Sequence, residues 1–407
     1  MRPDHTAFAS IDFTQEPDAR QAVGGEAQAG AARLQIESVG VRNAGFDALR
    51  ASLTLLVVLH HTAITYGAIG GWFYREVPTD RSLSSTLLVY FCTVNQAFFM
   101  GLFFLLAGYL TPGAIKRHGT LRYAIDRLKR LGLPLLFFGW VLGPVTIAIA
   151  GTSRGHPFSA TLTHLLSVGT FENGPLWFAQ ALLIFACAAV LWRTLSRGGR
   201  DPRPQDNAPR PWPSNAALLG AALFTGAAAL VLRVFWPVGV NVWGLQLGYF
   251  ASYVVLFAFG CLAARHRWLE FLPANQVRTW WHVALIALPI LPIVYFLGRA
   301  VPQVRGPTLG YVYAFWEPLV AWGVILKLLF EFQRRVTVLQ GPWKSLARRA
   351  YTIYIVHPPV LVTVALAWSG VPANALLKFA VTGIVSCAVC FLVAGWLLRV
   401  PGLRKIL

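Results

Sequence analysis

Charge is what this 407-residue chain has least of. Asp, Glu, Lys and Arg make up 13% of it, hydrophobic residues make up 56%, and mean hydropathy is +0.56. That balance excludes a string of soluble domains, because repeated apolar runs of about 20 residues match the hydrocarbon core of a bilayer. Acidic residues are especially few: 16 Asp and Glu stand against 35 Lys and Arg, for a formal net charge of +19. In a soluble protein that excess would point to nucleic acid. In a membrane protein it follows from the concentration of Lys and Arg in cytoplasmic loops, so no nucleic-acid partner is expected.

Cysteine is sparse as well. The five residues Cys92, Cys187, Cys261, Cys387 and Cys390 all fall inside apolar runs, so no disulfide framework is implied. Cys387 and Cys390 have the spacing of a redox pair, but on a lipid-embedded helix that spacing reads as packing. No metal site is called for. Residues 1–46 lack the apolar stretch of a secretory signal peptide and read as a disordered cytoplasmic tail. No internal repeat stands out, which counts against a transporter built from inverted repeats.

What remains is a succession of apolar runs, at roughly 48–70, 84–110, 132–150, 175–192, 215–236, 246–264, 281–298, 309–330, 350–368 and 375–398. The expected fold class is therefore all-α: a polytopic integral membrane protein of about ten transmembrane helices, its membrane domain covering 47–400. The loops after the even-numbered runs carry the basic clusters, such as Lys116, Arg117, Arg122, Arg127, Lys129 and Arg130, or Arg334, Arg335, Lys344, Arg348 and Arg349. The opposite loops carry only Arg75, Arg81, Arg154, Arg299 and Arg305. Both termini are thus expected in the cytoplasm, with 401–407 a short tail and no soluble domain appended. The Pro-, Gly- and Arg-rich stretch 193–214 reads as a flexible linker between two groups of spans.

Polar residues inside such runs are expensive and mark function by default. The first run opens at Arg50 and carries His60 and His61. Eleven helical residues turn through about three full circles and rise about 16 Å, so Arg50 and His61 share a stripe while His60 points about 100° away. His61 reads as a general base or acyl acceptor, or as a buried histidine satisfied by a neighbouring helix. Arg50 either belongs to that site or snorkels to the headgroups. In the second run, Asn95 and Gln96 fit interhelical hydrogen bonds, and Gly101 and Gly108 fit close helix packing. Arg127 and Arg130 lie three residues apart, where helical side chains are neighbours and two guanidiniums can grip one phosphate cluster. They also fit an ordinary cytoplasmic basic cluster. Glu172 is a weak candidate carboxylate, and Trp177 fits an interface anchor. Glu317, deep in the eighth run, either orients an imidazole or forms a structural ion pair. His357 precedes Pro358 and Pro359, which interrupt the backbone ladder and predict a kink in a packed or water-lined place. It is a second polar group of the site or a structural histidine.

Taken in order, these pieces resemble the membrane-bound acyltransferase family 3. Its Arg-x10-His pattern matches Arg50 and His61, and its aromatic-rich second span matches Phe103-Phe104-Leu105-Leu106-Ala107-Gly108. Its R-x-x-R matches Arg127 and Arg130, its Leu-Trp-Phe span matches Leu176-Trp177-Phe178, and its Tyr-x-x-Tyr-x-x-His-Pro matches Tyr351, Tyr354, His357 and Pro358. The departure is Ala107 where serine is usual, which puts a role for that hydroxyl in doubt. The resemblance covers about residues 46–400 and leans loosely toward the glucan succinyltransferase branch. It implies an enzyme transferring acyl groups other than amino-acyl groups, in a bacterial-type cell (inner) membrane. Acyl-CoA would be the donor and a hydroxyl of a cell-surface or periplasmic carbohydrate the acceptor. His61 would then be the base or acyl relay, Arg50, Glu317 and His357 its companions, and Arg127 and Arg130 the grip on CoA phosphates. The competing class is a proton-coupled transporter or flippase of a glycan or acyl substrate, which would move its cargo without releasing CoA.

Overall fold

The computed structural model describes residues 43–196, 210–300 and 307–406. The tail expected over 1–46 lies outside the described residues up to 42, and Ala44–Phe46 already belong to the first helix. Among the described residues, ten helices are long and apolar enough to cross a membrane. They are α1 (Ala44–Thr65), α2 (Leu83–His118), α3 (Thr120–Arg154), α4 (Gly174–Ser196) and α5 (Asn215–Phe235), then α6 (Leu247–His266), α7 (Ala274–Gly298), α8 (Thr308–Arg335), α9 (Gly341–Ala367) and α10 (Ala375–Leu397). Among the described residues the only extended pairing is an isolated antiparallel bridge between Val242 and Leu245. The chain is an all-α polytopic membrane protein.

Several helices overrun their apolar stretches. Helix α2 continues to His118, α3 begins at Thr120 rather than near 132, and α9 begins at Gly341. Hydropathy marks the part of a helix in hydrocarbon, whereas backbone hydrogen bonds continue past it into the headgroup layer. As a consequence Arg127 and Arg130 stand within the first turns of α3, not in a loop. The opposite correction applies to α1. It stops at Thr65, so His60 and His61 lie in its last turn and a half rather than at mid-span. Side-chain caps close three starts: Ser82 Oγ accepts from Ser85 N at 3.1 Å, Ser214 Oγ from Ala217 N at 3.2 Å, and Asn374 Oδ1 from Leu376 N at 2.8 Å.

Burial ranks the helices. Of the most apolar windows of α1 and α8, 67% is buried inside the protein, against 28% for α5 and α10 and 22% for α7. Helices α1 and α8 are therefore central, and the others present Phe224, Ile286, Leu392 and Trp396 outward, as a lipid solvent permits. The main core gathers Leu49 and Leu53 of α1, Phe104 and Leu105 of α2, Tyr253 and Leu256 of α6, and Trp322 and Ile325 of α8.

Glycine sets the closest approaches. A Cβ on Gly108 would lie 2.2 Å from the Phe257 carbonyl oxygen, and one on Gly260 would lie 2.2 Å from that of Leu105. Helices α2 and α6 thus meet backbone to backbone, as small residues allow in membranes. Gly323 does the same against Trp280 between α8 and α7, at 2.2 Å.

Two prolines matter beyond their own turns. Pro134 offers no N–H to the Arg130 carbonyl four residues earlier, and Tyr351 Oη–H of α9 donates to that oxygen at 2.7 Å. Pro358 likewise frees the Tyr354 carbonyl inside α9, which nevertheless runs as one helix through Pro358 and Pro359. The α2–α6 contact yields a direct test. Gly260→Ala is expected to lower the apparent Tm in detergent, the overpacking costing about 1–3 kcal/mol or more. Gly220→Ala, whose Cβ would meet nothing within 4 Å, is expected to leave Tm unchanged or slightly raised.

Candidate functional site

A cavity of about 1580 Å³ opens among the helices. Its walls come from the last turns of α1 (Val57, His60, His61, Ile64), the connection to α2 (Ile69–Phe73, Asp80) and Gln96, Phe99 and Met100 of α2. The entry to α4 adds Glu172–Pro175 and Trp177, and Arg233, Trp243, Tyr249, Tyr253, Tyr313 and Tyr354 complete the lining used below.

His61 is the site's centre, and its orientation can be built from the backbone outward. His357 Nδ1 lies 2.7 Å from the Tyr354 carbonyl oxygen, the one that Pro358 left without a helical donor. An imidazole nitrogen facing a carbonyl oxygen must carry the proton, so neutral His357 presents a bare Nε2. That Nε2 lies 3.2 Å from His61 Nδ1, which therefore donates. Neutral His61 is left with its lone pair on Nε2. The two rings are stacked, with centroids 5.1 Å apart and planes at 22°. His61 lines the cavity, whereas His357 is fully buried behind it and is not part of the wall.

The motif on α9 is legible in these terms. Tyr351, Tyr354 and His357 are spaced by three and share one helix face. Tyr351 reaches the Arg130 carbonyl of α3, the Tyr354 hydroxyl donates to the Pro175 carbonyl at the start of α4, and His357 reaches His61 of α1. One face of α9 locks three neighbouring helices in register with the imidazole pair.

Above His61 sits Trp72, from the connection between α1 and α2. Its ring stacks on His61 with centroids 4.2 Å apart and planes at 16°. The connection is anchored at both ends. Glu76 N and Val77 N donate to the Thr65 carbonyl at 2.9 and 3.2 Å, and Ser85 Oγ–H to the Gly67 carbonyl at 2.7 Å. Lys378 of α10, 6% exposed, pairs with the Glu76 carboxylate. At the rim, the Ser82 hydroxyl at 2.6 Å and its N–H at 3.0 Å hold the Asp80 carboxyl below its ordinary range.

Other expected residues land differently. Glu317 is 1% exposed, and its carboxylate pairs with Arg233 of α5 and accepts from Ser252 Oγ at 3.2 Å. The imidazole partner of His61 is thus His357, and Glu317 takes the ion-pair role. Arg233 is further fixed by Nε–H donating to the Gly248 carbonyl at 3.1 Å and by the Tyr313 ring at 4.9 Å. Arg50 lies 3.6 Å from Asp47 and stands about 16 Å along α1 from His61, outside the cavity wall. Arg127 lies 5.1 Å over the Tyr123 ring, and the backbone from Leu128 to Gly132 widens into a π-helical turn. A π turn rotates less per residue than an α turn, so Arg127 and Arg130 splay more than an ideal i, i+3 pair.

Gln96 Nε2–H donates to the Tyr253 hydroxyl at 2.9 Å, the interhelical bond expected of it. Glu172 lines the wall and accepts from Gly174 N at 2.8 Å. Trp177, expected as an interface anchor, instead lines the cavity and stacks on Tyr253 at 5.8 Å. His60 also reaches the cavity, stacked 4.9 Å from Phe99, although its stripe differs from that of His61. Sequence reasoning missed Trp72, Arg233 and Lys378. The last two carried a readable signal, a charge inside an apolar run. Trp72 carried none. Among the described residues, no group of three His, Cys, Asp or Glu side chains is placed to hold a metal ion.

A membrane bundle in which a cavity-lining imidazole is backed by a fully buried one defines a class, a polytopic membrane protein with a polar site inside its helices. The particular family follows from comparison. A family model described as an acyltransferase domain matches residues 43–395, and the chain belongs to this family, the membrane-bound acyltransferase family 3. It is a multi-pass membrane acyltransferase. Curated proteins and solved structures yield no significant match.

The Arg233–Glu317 pair gives a prediction of its own. Glu317→Ala or Arg233→Ala strands a buried charge and is expected to destabilise by about 3–5 kcal/mol. The joint change Arg233→Met with Glu317→Leu is expected to recover most of that loss in the same detergent melt.

Proposed function

We propose that the protein moves an acyl group from cytoplasmic acyl-CoA to a hydroxyl of a cell-surface or periplasmic carbohydrate, with His61 as the general base. The observation that carries this reading is the polarised chain Tyr354 C=O, His357, His61. It favours one tautomer and leaves the Nε2 lone pair of a cavity-lining histidine for a substrate. A base so held needs no reorientation before it takes a hydroxyl proton. His357 serves as its positioning partner.

The lining favours a polyhydroxylated acceptor. Flat faces of Trp177, Trp243 and Tyr249 stand beside the amides of Gln96, Asn173 and Gln180, a mixture suited to the apolar faces and hydroxyls of sugar rings. At about 1580 Å³ the space exceeds what a single small molecule fills, which suits a longer glycan chain. Arg50, Arg127 and Arg130 are the proposed contacts for CoA phosphates, by charge-assisted bonds. Tyr351, bound to the Arg130 backbone, precedes His357 by six residues or about 9 Å of helix, so donor and base are linked along one face of α9. The basic loops favour a cytoplasmic position for that end, with the mouth of the cavity on the opposite side.

The test is CoA release from purified protein in nanodiscs, with acetyl-CoA or succinyl-CoA and glycan acceptors. His61→Ala, folded and with donor binding retained, is expected to lose about 10²–10⁴ in rate. His357→Ala is expected to lose a comparable factor, because His61 then loses its tautomer and its aim. Wild-type rates in His61→Ala would sink the mechanism. Movement of substrate across vesicles with no CoA release would make the protein a transporter.

A further inference from the structure

We propose that Trp243 is an outer acceptor subsite, its exposed indole holding one sugar of a glycan while a different sugar reacts at His61; this rests on the acyl-transfer reading. Trp243 lies at the tip of a two-residue turn at the cavity rim. Val242 and Leu245 exchange both backbone bonds at 2.9 Å, so Trp243 and Gly244 alone form the loop. Both have positive φ, 51° and 78°, as a type I′ turn requires. Such turns favour Asn-Gly, because in the left-handed region a side chain's Cβ crowds the following carbonyl.

Among the described residues, Trp243 and Arg267 are the only two besides glycine with positive φ. Arg267 closes α6 as its cap, and its guanidinium pairs with Glu270. Trp243 has no such local reason, being 89% exposed while lining the cavity. Its indole face is open, whereas those of Trp72 and Trp177 already stack on His61 and Tyr253. Backbone strain kept under an unpacked side chain points to a use for that side chain. The turn is also clamped. Asn173 Nδ2–H donates to Gln180 Oε1 at 2.7 Å, and Gln180 Nε2–H donates to the Trp243 carbonyl at 3.2 Å. Gly244 lies so close to Asn173 that a Cβ would come within 2.0 Å of its Nδ2, and Leu245 is buried in the main core. The indole therefore stands on a fixed mount, built from residues of the cavity wall. An aromatic anchor in the headgroup layer needs neither the left-handed backbone nor the clamp.

The chemistry of the tip selects its ligand. An exposed indole face is apolar and electron-rich, complementary to the C–H face of a pyranose ring. Asn241 and Gln246, on either side of the turn and in the same wall, offer amides to that ring's hydroxyls. Residues 238–249 carry no charged side chain, so the tip suits a neutral sugar rather than a phosphate. His61, by contrast, is backed by the fully buried His357. In a cavity of about 1580 Å³, more than one small molecule fills, the mouth and the base take different units of one chain. Trp243 thus selects for acceptor length. A contact made alike in the bound complex and the transition state sets KM and leaves kcat alone.

The experiment compares wild type, Trp243→Asn and Trp243→Tyr in nanodiscs, by CoA release with acetyl-CoA or succinyl-CoA. The acceptors are the source cell's own envelope polysaccharide, intact and hydrolysed to fragments of one or two sugars. Trp243→Asn is expected to raise KM for the intact polysaccharide about tenfold, the loss of one aromatic contact, with kcat within about threefold. The preference for the long acceptor over its fragments should fall by the same factor, and Trp243→Tyr should recover most of it. Because Asn-Gly suits the turn, the melt of Trp243→Asn should hold or rise. Wild-type KM in Trp243→Asn overturns the proposal, as does a lowered melt or a loss confined to kcat, either of which would make the residue structural. Wild-type kinetics in Trp243→Asn with activity abolished in His61→Ala would remove the Trp243 role alone. A wild-type protein that releases no CoA would remove the acyl-transfer reading with it.

Discussion

One hydrogen bond, from His357 Nδ1 to the Tyr354 carbonyl, organises the site. It exists because Pro358 has no N–H to give that oxygen. The missing helical bond becomes an anchor for an imidazole, and the anchor decides the protonation of both nitrogens of His357. From there the orientation of His61 follows without any charged group in the chain. A carboxylate in that position would have carried a charge into a fully buried place, at high cost. A backbone carbonyl supplies the same polarity and is already present. The carbonyl orients an imidazole much as the buried carboxylate of a Ser-His-Asp triad does.

The same economy recurs around the bundle. Pro134 frees the Arg130 carbonyl, and Tyr351 takes it up from α9. Glycines at 108 and 260 let α2 and α6 approach until backbone meets backbone. Where ions are buried, they come in pairs that tie elements together, Arg233 with Glu317 between α5 and α8 and Lys378 with Glu76 between α10 and the segment carrying Trp72. Without a hydrophobic drive between helices in lipid, such contacts and close packing hold the bundle.

Much of this was legible before any coordinates. The apolar runs gave ten helices, since a bilayer forces each span to satisfy its own backbone. The helix period put Tyr351, Tyr354 and His357 on one face, and intramembrane cost singled out His61, His357 and Glu317. Arg233 and Lys378 were open to the same test, being charges within apolar runs. Helix ends were less legible. The N-terminal turns of α3 and α9 are polar and the last residues before Gly67 remain apolar, so hydropathy placed Arg127 in a loop and His61 at mid-span.

The sequence by itself determined the class, the number of spans and the polar groups that need partners, because those depend on composition and local period. Only the tertiary structure decided who partners whom. His61 could have met Glu317 as readily as His357, and both lie hundreds of residues away along the chain. Trp72 is the sharper case, a residue in a glycine-bounded connection with no period or charge to distinguish it. Its place over His61 is fixed by contacts from α2 and α10 to its own segment, a long-range arrangement that no local pattern encodes.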